Sequence, residues 1–238
     1  MSSTGFLRIF VRALLPVLAA LSGCAQQVRA PQYTGAMWST GPWIVEAEPG
    51  ARVTMKNEVL DIDAPAGCTV WLDRKLTGPL EISFYATAVS RGGDNDQVSD
   101  LNVFWMASNR DGSAPFTLQR SGKFAEYNNL LTYYVGLGGN RNTTTRFRRY
   151  IGDPEIRPML PEHDLASADV LLAPNQRQTI TLTADGSHIA YRRDGRTLFN
   201  YEDPAPYVQG WFAIRTTYSH LRIERLRVYT LKKASNSR

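Results

Sequence analysis

The chain has 238 residues, 43% of them hydrophobic and 11% aromatic, with two cysteines and a formal net charge of +5. That length suits one large domain or two small ones, with enough chain to bury a substantial core. So mild a basic excess gives no argument for a nucleic acid partner.

At the N-terminus, Arg8 and Arg12 precede the apolar run Ala13 to Leu21. The run is too short for a transmembrane helix of about 20 residues but has the form of a secretory signal. Leu21-Ser22-Gly23-Cys24 then matches a bacterial lipobox, in which a peptidase cuts before the cysteine and its sulfur carries a diacylglyceryl group. Residues 1–23 are therefore expected to be a lipoprotein signal peptide. Residues 24–37, polar and small with Pro31 and Gly35, read as a lipid-anchored tether. Ala25 stands where an aspartate would retain a lipoprotein at the inner membrane, so the expected location is the outer membrane, facing the periplasm or the cell surface. With Cys24 committed to lipid, Cys68 has no intrachain disulfide partner and reads as a small buried thiol on a strand.

From Trp38 onward the sequence breaks into short segments rich in Val, Ile, Thr, Tyr and Trp. Strands are predicted over 44–47, 53–56, 59–62, 69–72, 80–88, 101–107, 130–135, 143–150, 178–184, 188–193, 210–217 and 221–231. No long stretch has helical periodicity, and Asp185-Gly186 and Asp194-Gly195 have hairpin chemistry. The pattern predicts an all-β antiparallel sandwich or barrel over residues 38–231, with 232–238 a C-terminal tail. Arg91 to Asp96 reads as a loop, and Ile151 to Asn175, with its prolines and mixed charges, as one long excursion of the kind that carries function. Zinc signatures, P-loops and dinucleotide fingerprints are absent.

Alternation assigns the strand faces. Leu101, Val103, Trp105, Phe147, Phe212 and Ile214 read as core. Asp100, Asn102, Phe104, Met106, Arg146, Arg148, Trp211, Ala213 and Arg215 then face the other way, with Asn142 beside them. Aromatic rings among amides and guanidinium groups on a sheet face are the equipment of a sugar site, because rings stack on C–H faces while polar groups bond hydroxyls and carboxylates. Arg146, Arg148 and Arg149 fall within four residues and repel one another unless an anion lies near. Either structural carboxylates (Glu155, Glu162 or Asp164) or an anionic substrate such as a uronic acid answers that need. His163 and His220 sit in polar turns, and of the adjacent Tyr133 and Tyr134 one is core and one faces a ligand. Asp94, Asn95 and Asp96 offer oxygen donors for a structural calcium, but no EF-hand pattern is present and a plain turn is the favoured reading.

Four blocks carry a family resemblance: Val98 to Ala107, Tyr133 to Gly136 with Gly138 to Asn140, Thr144 to Tyr150, and Gly210 to Thr217. They resemble a family of secreted bacterial proteins of the concanavalin A-like lectin/glucanase superfamily, similar to the YesU-type proteins associated with pectin use. The resemblance implies a concanavalin A-like jelly-roll β-sandwich with a carbohydrate-binding face. Superfamily neighbours include glucanases, uronan lyases and hydrolases, but the paired-carboxylate strand of the glucanases is absent here. The reading that follows is a carbohydrate-active lipoprotein, a polysaccharide lyase-like enzyme acting by β-elimination on uronate-containing glycan. In it Arg146 and Arg148, with Asn102 or Asn142, neutralise the carboxylate; His163 or His220 is the base; and Tyr134 or Tyr133 is the acid. Asp100, Trp211 and Arg215 complete the binding face. A non-catalytic glycan-binding lipoprotein, and a glycoside hydrolase using Asp100, Glu162 or Asp164, remain the alternatives.

Overall fold

β-Branched and aromatic residues at alternate positions favour extended chain with one buried face, and the computed structural model has little else. It describes Met1, residues 28–33 and residues 43–232. Among these the strands are β1 (Val28–Tyr33), β2 (Trp43–Ala47), β3 (Arg52–Lys56), β4 (Val59–Ala64), β5 (Cys68–Thr77), β6 (Leu80–Ala88), β7 (Leu101–Ser108), β8 (Leu131–Gly138), β9 (Thr144–Ile151), β10 (Asp164–Leu165), β11 (Arg177–Asp185), β12 (His188–Arg193), β13 (Arg196–Glu202), β14 (Gln209–Thr216) and β15 (Ser219–Lys232). The first sheet runs β13-β12-β11-β6-β15-β4-β3, with β1 also paired to β15, and the second runs β10-β9-β8-β7-β14-β5-β2. The pairings are antiparallel, and neighbours far apart in the chain, such as β6–β15 in the first sheet and β5–β14 in the second, mark chain crossovers as in a jelly roll.

The two sheets bury one continuous core that includes Ile62, Val70, Ile82, Phe84, Val103, Val135, Phe147, Ile180, Phe212, Ile214 and Ile223. The expected faces hold for β9 and β14. They fail at Met106, where β7 shifts register between Trp105 and Ser108 and Met106 takes φ 54°, so that adjacent Trp105 and Met106 both enter the inter-sheet core. Cys68 is buried in that core, and burial pushes its thiol up to about 11, which keeps it unreactive.

The signal peptide, Cys24, the rest of the tether and residues 233–238 of the tail lie outside the described residues. Val28–Tyr33, within the segment read as tether, is a strand laid against the C-terminal end of β15. No helix among the described residues is long and apolar enough to cross a membrane.

A second apolar layer sits on the outer face of the second sheet. There Trp71, Phe104, Tyr134, Tyr150, Trp211 and Ala213 project outward, and residues 109–130 fold over them, contributing Phe116, Phe124, Tyr127 and Leu130. Arg120, 7% exposed, ties this cover to itself through Nη2 to Asn109 Oδ1 at 3.0 Å and Nε to the Glu126 carbonyl at 2.9 Å. Gly122 brings the cover onto the backbone of β2: its φ is +97°, and a Cβ there would stand 2.6 Å from the Glu48 nitrogen. Half of the outer face is thereby closed, and the other half is left as a cleft.

Candidate functional site

The open half of that face is a cleft of about 680 Å³ walled by three segments. Strands β8 and β9 form its floor with Tyr134, Gly136, Arg146 and Arg148. The Gln97–Asp100 stretch and the Thr217–Tyr218 turn form one side, and Arg157 from the proline-rich excursion forms another. Phe124, at the edge of the 109–130 cover, stands between this cleft and a smaller one of about 320 Å³ lined by Glu48, Asp100, Asn102, Lys123, Phe124 and Arg215. Gly136 keeps the floor open, since a Cβ there would lie 2.7 Å from the Tyr134 hydroxyl.

The arginine cluster divides into three fates. Arg149 turns to the opposite side of β9, donates to Asp203 at 2.7 Å and lies 4.4 Å from the Tyr207 ring centre. Asp203, 1% exposed, also accepts the Tyr133 hydroxyl at 2.7 Å, so Arg149, Tyr133 and Asp203 form a buried structural knot. Arg146 makes a bidentate pair with Asp164 at 2.7 and 3.1 Å across β9–β10, which fulfils the structural-carboxylate alternative for that residue. Arg148 has no such partner. Its Nη1 donates to the Arg157 carbonyl at 2.8 Å, and Arg157 donates to Asn128 Oδ1 at 3.3 Å. Neither forms an ion pair with a carboxylate among the described residues. Burial depresses the pKa of Arg148, opposed by Tyr150 and reinforced by the charges of Arg157 and Arg146.

Tyr134 enters the cleft next to Phe104, Phe124 and Tyr150, with ring centres 5.1 to 5.5 Å away. Its hydroxyl makes no hydrogen bond within the described residues. Burial holds it protonated well above the ordinary phenol range, so it stands in the cleft as a neutral phenol. Asp100 has φ 53°, a strained conformation for a residue with a side chain. Its carboxylate accepts from Asn102 Nδ2 at 3.2 Å, and burial raises its pKa in spite of that bond. A desolvated carboxyl in a cleft with a phenol and guanidinium groups is an acid–base candidate. Arg215, 2% exposed, donates from Nη1 to Thr69 Oγ1 and the Gly122 carbonyl, both at 2.8 Å, and lies 5.0 Å from the ring centres of Phe124 and Tyr127. It fastens the cover as well as lining the smaller cleft.

Four expected site residues lie elsewhere. His163 is buried on the far side of β9, edge-on to Phe147 at 4.8 Å, with Nε2 3.3 Å from the Asn200 carbonyl, and burial lowers its pKa. Its aromatic neighbours outweigh the flanking carboxylates that suggested a catalytic role. His220 is on the outer face of the first sheet, bridging Asp96 and Asp61 at 3.0 Å each. Asn142 spends both ends of its amide on the backbone of Leu172, at 2.9 Å each way. Trp211 lies under Phe116 within the covered half. Of the three carboxylates considered for hydrolysis, Asp100 alone lines the cleft; Asp164 is committed to Arg146 and Glu162 is exposed outside it. The Asp94–Asp96 loop does not suit calcium. Asp96 accepts from the Arg91 and Gly93 amides and from His220, Asn95 donates to Asp63, and no group of three metal-ligating side chains exists among the described residues.

Arg157, Phe124 and Tyr218 were not expected. Arg157 lies in the excursion whose length signalled function, whereas Phe124 and Tyr218 carried no local signal. Tyr218, 58% exposed at the rim, is the kind of ring on which a sugar stacks.

Residues 62–226 match the model of the DUF6250 family, described as a domain of unknown function, and the chain belongs to that family. No curated protein matches it. Among solved structures it is similar to a Bacillus subtilis protein of unknown function with a galectin-like fold, at 13% identity and TM-score 0.67 over 88% of this chain and 100% of that one. It is also similar to the carbohydrate binding module CBM66 from B. subtilis, at 9% identity and TM-score 0.53 over 79% and 95% of the two chains. A third likeness is to the VIP36 exoplasmic/lumenal domain in its Ca2+/Man3GlcNAc-bound form, at 10% identity and TM-score 0.54 over 82% and 86%. These likenesses establish a lectin-like jelly-roll β-sandwich.

Proposed function

We propose that this member of the DUF6250 family is an exported lipoprotein, anchored through Cys24 at the outer membrane, whose cleft binds an acidic glycan. The observation that carries the reading is the Arg148–Arg157 pair: both residues line the cleft, one on its floor and one at its side, and neither is ion-paired to a carboxylate among the described residues. Like charges are held together at a cost that a bound anion relieves, and planar guanidinium groups suit the two oxygens of a uronate carboxylate. Phe124 and Tyr218 supply aromatic faces at the sides of the same cleft. The fold adds support, since related sandwiches include a carbohydrate binding module and a domain described with a bound oligosaccharide.

A lyase reading is favoured by one further observation, the pairing in this cleft of a protonated phenol with a desolvated carboxyl. In β-elimination the arginines would neutralise the uronate carboxylate and acidify C5. Asp100, its basicity raised by burial, would take the C5 proton. The released electron pair forms the C4–C5 double bond as the C4–O bond breaks, and Tyr134 gives its proton to the leaving oxygen. In this reading Asp100 replaces the histidines as the base, and Tyr134 is the one of the two tyrosines that serves as the acid.

The test is to incubate the purified protein with a panel of uronate polymers and follow ultraviolet absorbance, reducing ends and affinity together. Absorbance rising with reducing ends supports elimination. Affinity without cleavage supports the binding module, reducing ends without absorbance support hydrolysis, and no affinity for any acidic polymer overturns the proposal.

A further inference from the structure

The two clefts on either side of Phe124 share Asp100 and Thr217 and so form one groove with two lobes. Their electrostatics differ. The larger lobe carries Arg141, Arg148 and Arg157, with Arg146 already paired to Asp164, against the one lining carboxyl of Asp100. The smaller lobe sets Glu48 and Asp100 against Lys123 and Arg215, a balanced set. Within the smaller lobe, Asn102 is 3% exposed and its Oδ1 has no hydrogen-bond partner among the described residues, while its Nδ2 donates to Asp100.

A buried acceptor without a donor carries a desolvation cost that a ligand's hydroxyl or amide N–H removes. The hydroxyls of either sugar class can supply that donor, but the carboxylate of a uronate would meet Glu48 and Asp100 as like charges. We infer that the groove reads a two-sugar unit, an acidic sugar in the arginine lobe followed across Phe124 by a neutral, donor-rich sugar on Asn102 and Glu48, and that it discriminates against runs of uronate. The inference rests on the acidic-glycan reading above and narrows it to copolymers in which uronate alternates with a neutral sugar.

The experiment is calorimetric titration of the full chain with two tetrasaccharides that share one uronate, tetraglucuronate and a tetramer alternating glucuronate with N-acetylglucosamine. The alternating sugar is expected to bind about tenfold more tightly, since its neutral unit spares the smaller lobe a carboxylate facing Glu48 and Asp100. Glu48→Gln, which keeps an oxygen for the Gly67 amide that Glu48 now serves at 2.9 Å, should narrow the gap by strengthening tetraglucuronate binding. Equal or tighter binding of tetraglucuronate to the unmodified chain overturns this inference and leaves the acidic-glycan reading standing. Failure of both sugars to bind overturns this inference for glucuronate, and the acidic-glycan reading falls with it if no polymer of the uronate panel binds either.

Discussion

Arg148 donates to the main-chain carbonyl of Arg157 at 2.8 Å, so the two residues present their guanidinium groups to one cleft from a strand and from a loop. The bond fixes Arg148 without neutralising it, whereas Arg146 two residues earlier is neutralised by Asp164. Arg148→Ala should weaken binding of an acidic oligosaccharide by about 10- to 100-fold, the range for a hydrogen bond to a charged group. Any β-elimination should fall by on the order of 10²-fold, as when an oxyanion donor is removed. The melting temperature should hold or rise, because a repelling charge has gone. A folded, fully competent Arg148→Ala protein would remove the anionic substrate.

Adjacent tyrosines on β8 should give opposite phenotypes. Tyr133 is buried against Trp105 and Phe147, donates to Asp203 and accepts the Tyr207 amide at 3.0 Å. Tyr133→Phe leaves two buried groups short of a partner and should cost about 1–3 kcal/mol of stability with ligand affinity unchanged. Tyr134→Phe removes a hydroxyl that bonds nothing in the described protein, so stability should hold while cleavage of a uronate polymer drops. Denaturant unfolding and an absorbance assay on the two variants separate the roles, and the reverse pattern would exchange them.

Alternation made the sandwich legible, because a strand with one buried face writes its period into the sequence: Phe212 and Ile214 went to the core and Trp211 and Ala213 to the other side. The cleft was legible only where it lies on strands. Asp100, Asn102, Arg148 and Arg215 follow from strand faces, and Tyr134 only as one of a pair left open with Tyr133, but the period says nothing about what covers a face. Trp211 was therefore read as open when Phe116 lies across it. The histidines misled for a related reason. Flanking carboxylates in sequence suggested tuning for catalysis, yet His163 turns toward Phe147, Phe199 and Tyr201, contacts made by residues 16 to 38 positions away. Arg157 belongs to an irregular segment, where no period fixes the direction of a side chain.

The lipid anchor rests on Leu21 to Cys24 alone. Cys24→Ser should abolish incorporation of labelled fatty acid and leave the precursor uncleaved by the lipoprotein peptidase. The β-sandwich should be unaffected, with the same circular dichroism for both proteins. Undiminished labelling in the variant would defeat the anchoring claim.

His220 ties three segments of the first sheet and its loops: its Nδ1 meets Asp96 of the 91–97 loop, its Nε2 meets Asp61 of β4, and its own place is at the start of β15. Asp63, Arg52, Arg91, Asp94, Arg222 and Glu224 surround the same hollow. Burial disfavours the charged imidazole, but the bonds to Asp96 and Asp61, with the charges of Asp61 and Asp63, outweigh it and raise the pKa above its ordinary value. A raised folded-state pKa means that the folded protein holds the proton more tightly than the unfolded chain does. The stabilisation is therefore complete below the unfolded imidazole value of about 6.5 and is lost as pH climbs through the higher folded value. Melting temperatures recorded from pH 5.5 upward should fall across that window in the unmodified protein. In His220→Gln the fall should disappear and stability should be lower on the acid side, where the imidazolium is worth most. Parallel curves for the two proteins would show that the imidazole stays neutral between its two carboxylates.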